Sequence, residues 1–540
     1  MNRKNLTAAV LAGLAGVAGI AGTAQAVNMN PDGLGQVLIY PYYTANMGNS
    51  TMLSVVNTTD NAKAVKVRFL EGYNSREVLD FNLYMSEWDV WVASIEAGEG
   101  GPKLHIPDTS CTVPYLYDED LGFGEQPFLD LAFTGAYADG GPTGIGRAGE
   151  GHIEMIEMGT LTGAMAANVR HGDDDMPADC MALTTAWTDF GAPQGTDGNG
   201  QWFDEAWDGI NDCEPYPDDI EDLEFSECRA TSFTTRASGG LFGAGAIINV
   251  EDGTMFSYDA QALQGFDDTV DGIHYIPGTI YPSLDTGSVN ESWVFFGVPQ
   301  NQAVNLDYSR TIDAVSSVFM HETIMNEYYT DAAYGAGTEW IVTFPTKNFY
   351  ADEWRMEAVG LIEQECEPAE DPNDPDVCVN IPRAPFTEFF GDADCEVVTL
   401  KTWDREENTF TPTDPDNPVR PPVVSPSLPS CDPEVDPRCA PGETPFQLCN
   451  EVNVLRFGEM AVFDTPTFTE GDMEYSLMVE VEDEFVAGWG RLTFANRMDE
   501  EGLMGLPVTG FAAQSVVNEF LSGGVKANYG GLFRHKANVR

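Results

Sequence analysis

The chain has 540 residues, of which 26 are Lys or Arg and 87 are Asp or Glu, so that its formal net charge is −61 at pH 7. Such a negative surface repels phosphate backbones and anionic lipids, which excludes nucleic acid as a favourable partner. Hydrophobic residues make up 43% of the chain, enough for ordinary cores, and its length predicts two or more of them. The charge indicates either adaptation to a salty habitat, which is the simpler interpretation, or the collection of divalent cations.

The first 26 residues have the pattern of a signal peptide. Arg3 and Lys4 precede a run of small and apolar residues from Leu6 to Gly22, and residues 24–26 supply the small-x-small pattern of a signal-peptidase site. A membrane anchor is the alternative, but about 17 weakly apolar residues make a poor span. We expect cleavage after residue 26, export to the cell surface, the medium or the periplasm, and no transmembrane span in the mature chain.

The stretch 36–95 predicts a series of short antiparallel strands. In the segment 64–69, apolar residues alternate with Lys66 and Arg68, and the segment 79–83 repeats the alternation. A two-residue period is typical of a half-buried strand, with one face in the core and the other in solvent. Strands about ten residues apart, joined by polar turns, predict a sandwich or barrel.

The rest of the chain continues this pattern, with one helix predicted from Ile312 to Tyr328 by the spacing of its apolar residues. An Asp252-Gly253 hairpin signal joins two of the later strands. Further strands are predicted at 128–133, 152–158, 244–250, 254–258, 293–298, 340–344, 396–403, 451–457, 475–481, 486–494 and 511–520.

We therefore predict a mainly β protein with two antiparallel, immunoglobulin-like β-sandwich domains, long acidic loops and few helices. A Pro- and Asp-rich stretch interrupts the second domain as an insertion in a hairpin, and a linker between domains is the alternative. The expected segments are a signal peptide at 1–26, a first β-sandwich at 27–170, an acidic disulfide-pinned excursion at 171–235, a second β domain at 236–403, the insertion at 404–448 and strands completing the second domain at 449–540.

All ten cysteines follow the signal sequence, and an even number in an exported chain predicts disulfide bonds. Spacing favours three local pairs and two longer closures without excluding other pairings: Cys213–Cys228, Cys366–Cys378, Cys431–Cys439, Cys111–Cys180 and Cys395–Cys449. Each bond would stabilise the fold by about 3–4 kcal/mol in the loop-entropy model. Zinc is disfavoured because the sequence has no Cys-x-x-Cys or Cys/His box.

Clusters of acidic residues are candidate sites for structural Ca²⁺, which takes six to eight oxygen ligands from flexible loops. The candidates are Asp173, Asp174 and Asp175, together with Asp197 and Asn199. Neither group has the spacing of an EF-hand, and solvated acidic loops are the alternative. We predict no other cofactor.

Three short motifs match functional signatures without their structural context. Residues 144–149 match GxGxxG, but a strand is predicted after them where a nucleotide site needs a helix. His321 and Glu322 begin an HExxH motif whose fifth residue is Met325, and residues 506–510 match a sortase motif with no membrane-length apolar stretch after it. No catalytic residue is assigned.

Several strand segments resemble those of a group of exported proteobacterial proteins that has no assigned function. The resemblance is carried by Leu53–Thr59, Val65–Phe69, Ser75–Leu83, Trp340–Lys347 and Gly505–Phe511. It implies export and β-structure, and it supplies no catalytic residue.

Two functional hypotheses follow. The first is an exported, non-catalytic structural or adhesive protein of the cell surface or extracellular space, stapled by disulfides and adapted to salt. The alternative is a carbohydrate-binding or carbohydrate-active protein, which needs two or more exposed tryptophans beside facing carboxylates. Candidate partners are surface glycans, other proteins and further copies of this chain.

The net charge predicts that salt stabilises the fold. Raising NaCl from about 0.1 M to about 1 M shortens the Debye length from about 10 Å to about 3 Å and screens the self-repulsion of the acidic surface. We expect the melting temperature, followed by circular dichroism, to rise over this range. An isosmotic sucrose series serves as the control, and a flat melting curve in NaCl contradicts the screening argument.

Overall fold

The computed structural model describes residues 26–188, 229–230, 233–297, 302–367, 377–390, 395–406, 409–410, 445–463, 476–479, 486–494, 497–521 and 525–538. Within these ranges the chain is mainly β, with several antiparallel sheets and a few short helices, which confirms the predicted class. The immunoglobulin-like arrangement of two sandwiches stays a prediction. Among the described helices, none has the length and apolar character needed to cross a membrane.

The strands, in chain order, are β1 Asn28–Met29, β2 Val37–Thr44, β3 Asn49–Asn57, β4 Lys63–Glu71, β5 Glu77–Met85, β6 Val90–Gly98, β7 Gly101–Ile106, β8 Cys111–Val113, β9 Gly124–Pro127, β10 Glu150–Leu161, β11 Arg229–Ala230, β12 Thr234–Thr235, β13 Leu241–Asn249, β14 Thr254–Asp259, β15 Gln261–Gln264, β16 His274–Tyr275, β17 Glu291–Phe296, β18 Gln302–Asp307, β19 Met320–His321, β20 Thr323–Tyr329, β21 Ala336–Thr343, β22 Glu363–Glu367, β23 Val377–Ile381, β24 Glu396–Asp404, β25 Thr409–Phe410, β26 Pro445–Leu448, β27 Val452–Phe457, β28 Ser476–Val479, β29 Ala487–Thr493, β30 Leu506–Pro507, β31 Thr509–Leu521, β32 Val525–Arg534 and β33 Lys536–Asn538. The α-helices are α1 Gly163–Asn168, α2 Cys180–Thr188, α3 Thr311–Ser317, α4 Asn348–Ala351 and α5 Glu353–Ala358. Single 3₁₀ turns lie at Leu131–Phe133, Gly135–Tyr137, Ile145–Gly149 and Ala332–Tyr334.

Two sheets form the N-terminal part of the fold. One has the strand order β1-β15-β2-β10-β4-β5-β8, with β12 beside β10, and the other has the order β14-β13-β3-β6-β7-β9. The apolar faces of the two sheets share one core, in which Val65, Val67 and Phe69 of the first sheet meet Trp91 and Leu104 of the second. The second sheet joins the expected segments 27–170 and 236–403, because β13 pairs with β3 along its whole length.

Two further sheets follow, with the orders β25-β24-β29-β20-β33 and β28-β27-β21-β31-β32. Strand β2 connects their core with the N-terminal one because all eight of its residues are buried. Val37 and Ile39 face a cluster that contains Trp340, whereas Leu38 and Tyr40 face the N-terminal core. Successive side chains of a strand point to opposite faces. A strand with a core on each face therefore needs apolar residues at nearly every position.

The hairpin signal at Asp252-Gly253 is confirmed. Strands β13 and β14 pair in antiparallel register, and Gly253 lies in their turn with a φ of 68°. Glycine takes this left-handed conformation without the steric cost that a side chain would bring.

Two of the predicted elements are wrong. The helix predicted from Ile312 to Tyr328 ends at Ser317, and residues 323–329 form β20, which pairs with β29. The partner strand is more than 150 residues away in sequence, so local apolar spacing cannot reveal it, and a β-branched and aromatic segment suits a strand. No strand forms at 128–133: β9 ends before this segment at Pro127, residues 128–130 are irregular, and residues Leu131–Phe133 form a 3₁₀ turn.

Three of the predicted cysteine pairs lie at disulfide distance: Cys111–Cys180, Cys366–Cys378 and Cys395–Cys449, with S–S separations of 1.98, 1.98 and 2.01 Å. The Cys213–Cys228 and Cys431–Cys439 pairs lie outside the described residues. The signal segment, most of the acidic excursion and most of the Pro- and Asp-rich insertion also lie outside them.

Candidate functional site: an arginine-lined cavity

The outward face of β4 is polar and buried, which corrects the prediction of a half-buried strand. Lys66 is 0% exposed and Arg68 is 2% exposed, because later segments of the chain cover this face. Arg68 donates from Nε to Glu77 at 2.7 Å and from Nη1 to Glu154 at 2.8 Å. Lys66 donates to Asp80 and, at 3.0 Å, to the carbonyl oxygen of Thr279. Buried cations are stable here because each has a carboxylate partner.

A cavity of about 710 Å³ lies beside these charges. Its volume is within the range of small-molecule sites, which are about 300–1,000 Å³. Its lining combines apolar side chains, called here the apolar wall, with three arginines and their carboxylates, called the polar wall. The apolar wall includes Val78, Leu79, Val113, Leu116, Ile276 and Ile280, and the polar wall includes Arg68, Arg76, Glu77, Asp80, Asp352 and Arg355.

Arg355 differs from the other two arginines because, within the described ranges, its guanidinium has no carboxylate within hydrogen-bond distance. Nε of Arg76 also lacks an aligned hydrogen bond, but it lies 2.9 Å from the carboxylate of Asp352. Arg355 projects from the short helix α5 and is only 3% exposed. Within the described ranges its Nε and Nη2 atoms have no hydrogen-bond partner, and the carboxylate of Asp285 lies 3.9 Å from Nη2. The guanidinium lies 4.8 Å from the centre of the Phe349 ring. Burial lowers the pKa of this guanidinium, and the positive charge of Arg68 lowers it further.

Arg76 and Asp352 form the neighbouring part of the polar wall. Arg76 donates from Nη2 to Asp352 at 3.0 Å, and Asn74 donates to the other oxygen of that carboxylate at 2.8 Å. The Arg76 guanidinium lies 4.6 Å from the centre of the Trp354 ring, which meets Tyr137 edge to face. Asp352 also caps α5 by accepting from the backbone N–H of Arg355 at 3.1 Å. This cap fixes the start of the helix and therefore the place of Arg355.

Burial also raises the pKa of several carboxyl groups around the cavity. The pKa of Glu77 is raised by burial and by the charge of Asp80, and the pKa values of Glu154 and Asp352 are raised by burial. Desolvation disfavours the charged form of a carboxyl group, so each of these carboxylates depends on a nearby cation.

Arg147 shows how this fold satisfies an arginine that has a structural role. It lies in the 3₁₀ turn at Ile145–Gly149, inside the GxGxxG match, and is 0% exposed. Its guanidinium donates to Glu71 at 2.8 and 2.9 Å and to Asp139 at 2.8 and 2.6 Å. The expectation that no helix follows this motif is confirmed, because β10 begins at Glu150.

The sequence-predicted calcium residues do not lie at this cavity. Asp173, Asp174 and Asp175 are exposed in a turn that precedes α2, and Asp197 and Asn199 lie outside the described residues. Among the residues that the structure does describe, no three His, Cys, Asp or Glu side chains are grouped for a metal ion. A calcium site therefore stays a prediction.

The tryptophans and His321 are placed as follows. Trp91 is buried in the N-terminal core, and Trp88 is 66% exposed in the turn before β6. His321 is in β19, and burial lowers its pKa to about 4.

Sequence reasoning missed Arg76 and Arg355 altogether. Only the Asp352 cap at the start of α5 offered a local signal for this region.

Comparisons with protein-family models, with curated proteins and with solved structures give no match. The resemblance to exported proteobacterial proteins therefore stays a prediction. The function must be inferred from the chemistry of the cavity itself.

The two kinds of buried arginine predict different costs of substitution. Arg147→Met leaves Glu71 and Asp139 buried without their main cation, and we expect it to lower the free energy of unfolding by about 3–5 kcal/mol. Arg355→Met loses no hydrogen bond from Nε or Nη2, and we expect a change within about 1 kcal/mol. Urea unfolding followed by circular dichroism measures both values. Equal losses in the two variants contradict a non-structural role for Arg355.

Proposed function

We propose that the protein is an exported, non-catalytic binding protein of the cell surface or extracellular space, and that it takes up a small ligand in the cavity beside Arg355. The proposal includes a structural or adhesive role to which ligand binding contributes. The signal-peptide pattern and the three disulfides support export, and the acidic composition supports adaptation to salt. The shared core of the two N-terminal sheets supports the immunoglobulin-like arrangement as its scaffold.

The observation that carries the proposal is the incompletely paired guanidinium of Arg355. Leaving a buried donor unsatisfied costs about 1–3 kcal/mol, and more for a charged group. Native folds rarely keep such a group without a reason, whereas a bound ligand with an acceptor atom would satisfy it. Because Arg355 lines a cavity that also has an apolar wall, it can serve as a polar anchor for a ligand with an apolar part.

Filling the cavity tests the proposal. Ala132 lines the cavity, and Ala136, in the next 3₁₀ turn, is exposed and does not line it. We expect Ala132→Trp to abolish saturable binding of the fluorescent probe 1-anilinonaphthalene-8-sulfonate, and Ala136→Trp to leave it intact. Both variants add the same indole, so the comparison corrects for probe that binds elsewhere. Unchanged saturable binding in Ala132→Trp contradicts a binding role for the cavity.

Carbohydrate binding is a second candidate function, and the exposed turn around Trp88 favours it. Trp88 has a φ of 63°, which is a strained backbone conformation for a bulky residue. Strained conformations of this kind are enriched at functional sites. It borders a depression of about 450 Å³ with Asp60, Glu87, Arg170 and His171. Arg170 donates from Nε to Glu87 at 2.8 Å, so polar groups stand beside an open indole face. Such a face suits stacking against a sugar ring.

A glycan array tests this second candidate. If glycans bind at this turn, Trp88→Ala should remove the array signal because the stacking face is lost. Trp354→Ala serves as the matched control, since it removes an indole from the cavity instead. A signal that persists in Trp88→Ala contradicts a glycan site at Trp88.

A further inference from the structure

We infer that the cavity binds a small amphipathic monocarboxylate, whose carboxylate lies against Nε and Nη2 of Arg355 and whose apolar body lies along the apolar wall. This inference rests on the proposed binding function and specifies the ligand class. It is supported by three features of the cavity: the geometry of the free donors, the local balance of charge and the composition of the apolar wall.

The free donors of Arg355 have the geometry that a carboxylate requires. Nε and Nη2 are on the same edge of the guanidinium, where their two N–H bonds point in nearly the same direction. A carboxylate can accept both at once, with one oxygen for each, and such bidentate pairs are among the strongest hydrogen bonds in proteins. A hydroxyl or ether oxygen would satisfy only one of these donors well.

The local balance of charge favours a single negative charge on the ligand. Arg68 is already paired with Glu77 and Glu154, and Arg76 is already paired with Asp352. Arg355 is the remaining cation of the cavity wall, and Asp285 balances it only from 3.9 Å. The lining already holds three carboxylates, Glu77, Asp80 and Asp352, beside its three arginines, so a ligand with one negative charge meets less repulsion than a ligand with two. A phosphate dianion would bring a second negative charge close to the carboxylates of the same wall, where no further cation lines the cavity within the described ranges.

The apolar wall favours an apolar body. Its side chains are aliphatic, and the lining also includes Leu129 and Leu131, which are 47% and 66% exposed. Exposed leucines in the lining of a cavity extend the apolar surface that a ligand can cover. An alkyl chain or a small hydrocarbon ring attached to the carboxylate would remove this surface from water. A short, fully polar anion would leave the wall uncovered.

Four probes that share parts of one structure test the inference on the full mature chain. Octanoate has both a carboxylate and an alkyl chain. Octan-1-ol has the alkyl chain without a charge, octyl phosphate has the chain with a second negative charge, and acetate has the carboxylate without the chain. We expect isothermal titration calorimetry to show saturable binding of octanoate that is at least about tenfold tighter than that of the other three probes. Tighter binding of octan-1-ol or octyl phosphate overturns the inference.

Variants of Arg355 assign the carboxylate to its guanidinium. We expect Arg355→Met to weaken octanoate binding to the level of octan-1-ol and to leave octan-1-ol binding within about twofold. Arg355→Lys keeps the charge and loses the bidentate geometry, so it should give an intermediate affinity; it decides the question if the Met variant does not fold. Arg534→Met is the control, because Arg534 is exposed and does not line the cavity. Octanoate binding that is unchanged in both Arg355 variants overturns the inference.

The outcomes separate this inference from the proposed function. If octan-1-ol or octyl phosphate binds best and Ala132→Trp blocks it, the cavity is a binding site for another ligand class, and only the inference fails. If none of the four probes binds and 1-anilinonaphthalene-8-sulfonate does not bind either, both fail.

Discussion

Strand β4 is buried on both faces, and this double burial determines how the surrounding segments pack. Val65, Val67 and Phe69 fill the core between the two N-terminal sheets. The opposite face places Lys66 and Arg68 where water cannot reach them, which costs several kcal/mol per charge unless partners are supplied. Carboxylates on β5 and β10 supply those partners, so that the strand order β10-β4-β5 is also an order of alternating charge.

The cavity lies where this alternation of charge is incomplete. Arg147 has four hydrogen bonds from its guanidinium to carboxylates, whereas Nε and Nη2 of Arg355 have none within the described part of the chain. Both side chains are buried, so exposure does not explain the difference. The same fold therefore pairs one guanidinium fully and leaves another incompletely paired beside a cavity that has apolar lining residues. That contrast is the basis for interpreting Arg355 as a ligand anchor and Arg147 as a structural residue.

Two of the disulfides support the walls of this cavity. Cys111 is in β8, whose last residue, Val113, lines the cavity, and its bond to Cys180 ties that wall to α2. Cys449 accepts a hydrogen bond from Lys347 at its carbonyl oxygen, and Lys347 precedes α4, which leads directly into α5 and Arg355. Covalent links near a binding site reduce the freedom of its walls in the unliganded state, which lowers the entropic cost of binding.

The sequence by itself determined the β class and most of the strands, and it favoured the three cysteine pairs at bonding distance, because side-chain alternation, turn residues and cysteine spacing are local properties. It did not determine that Lys66 and Arg68 are buried, because an alternating strand has the same sequence whether its polar face meets water or another layer. Nor could it place Arg355 beside Arg68, since these residues are almost 290 positions apart in sequence. The tertiary structure lays the segment after β21 over the polar face of β4. Only this arrangement brings these charges together and leaves the guanidinium of Arg355 incompletely paired.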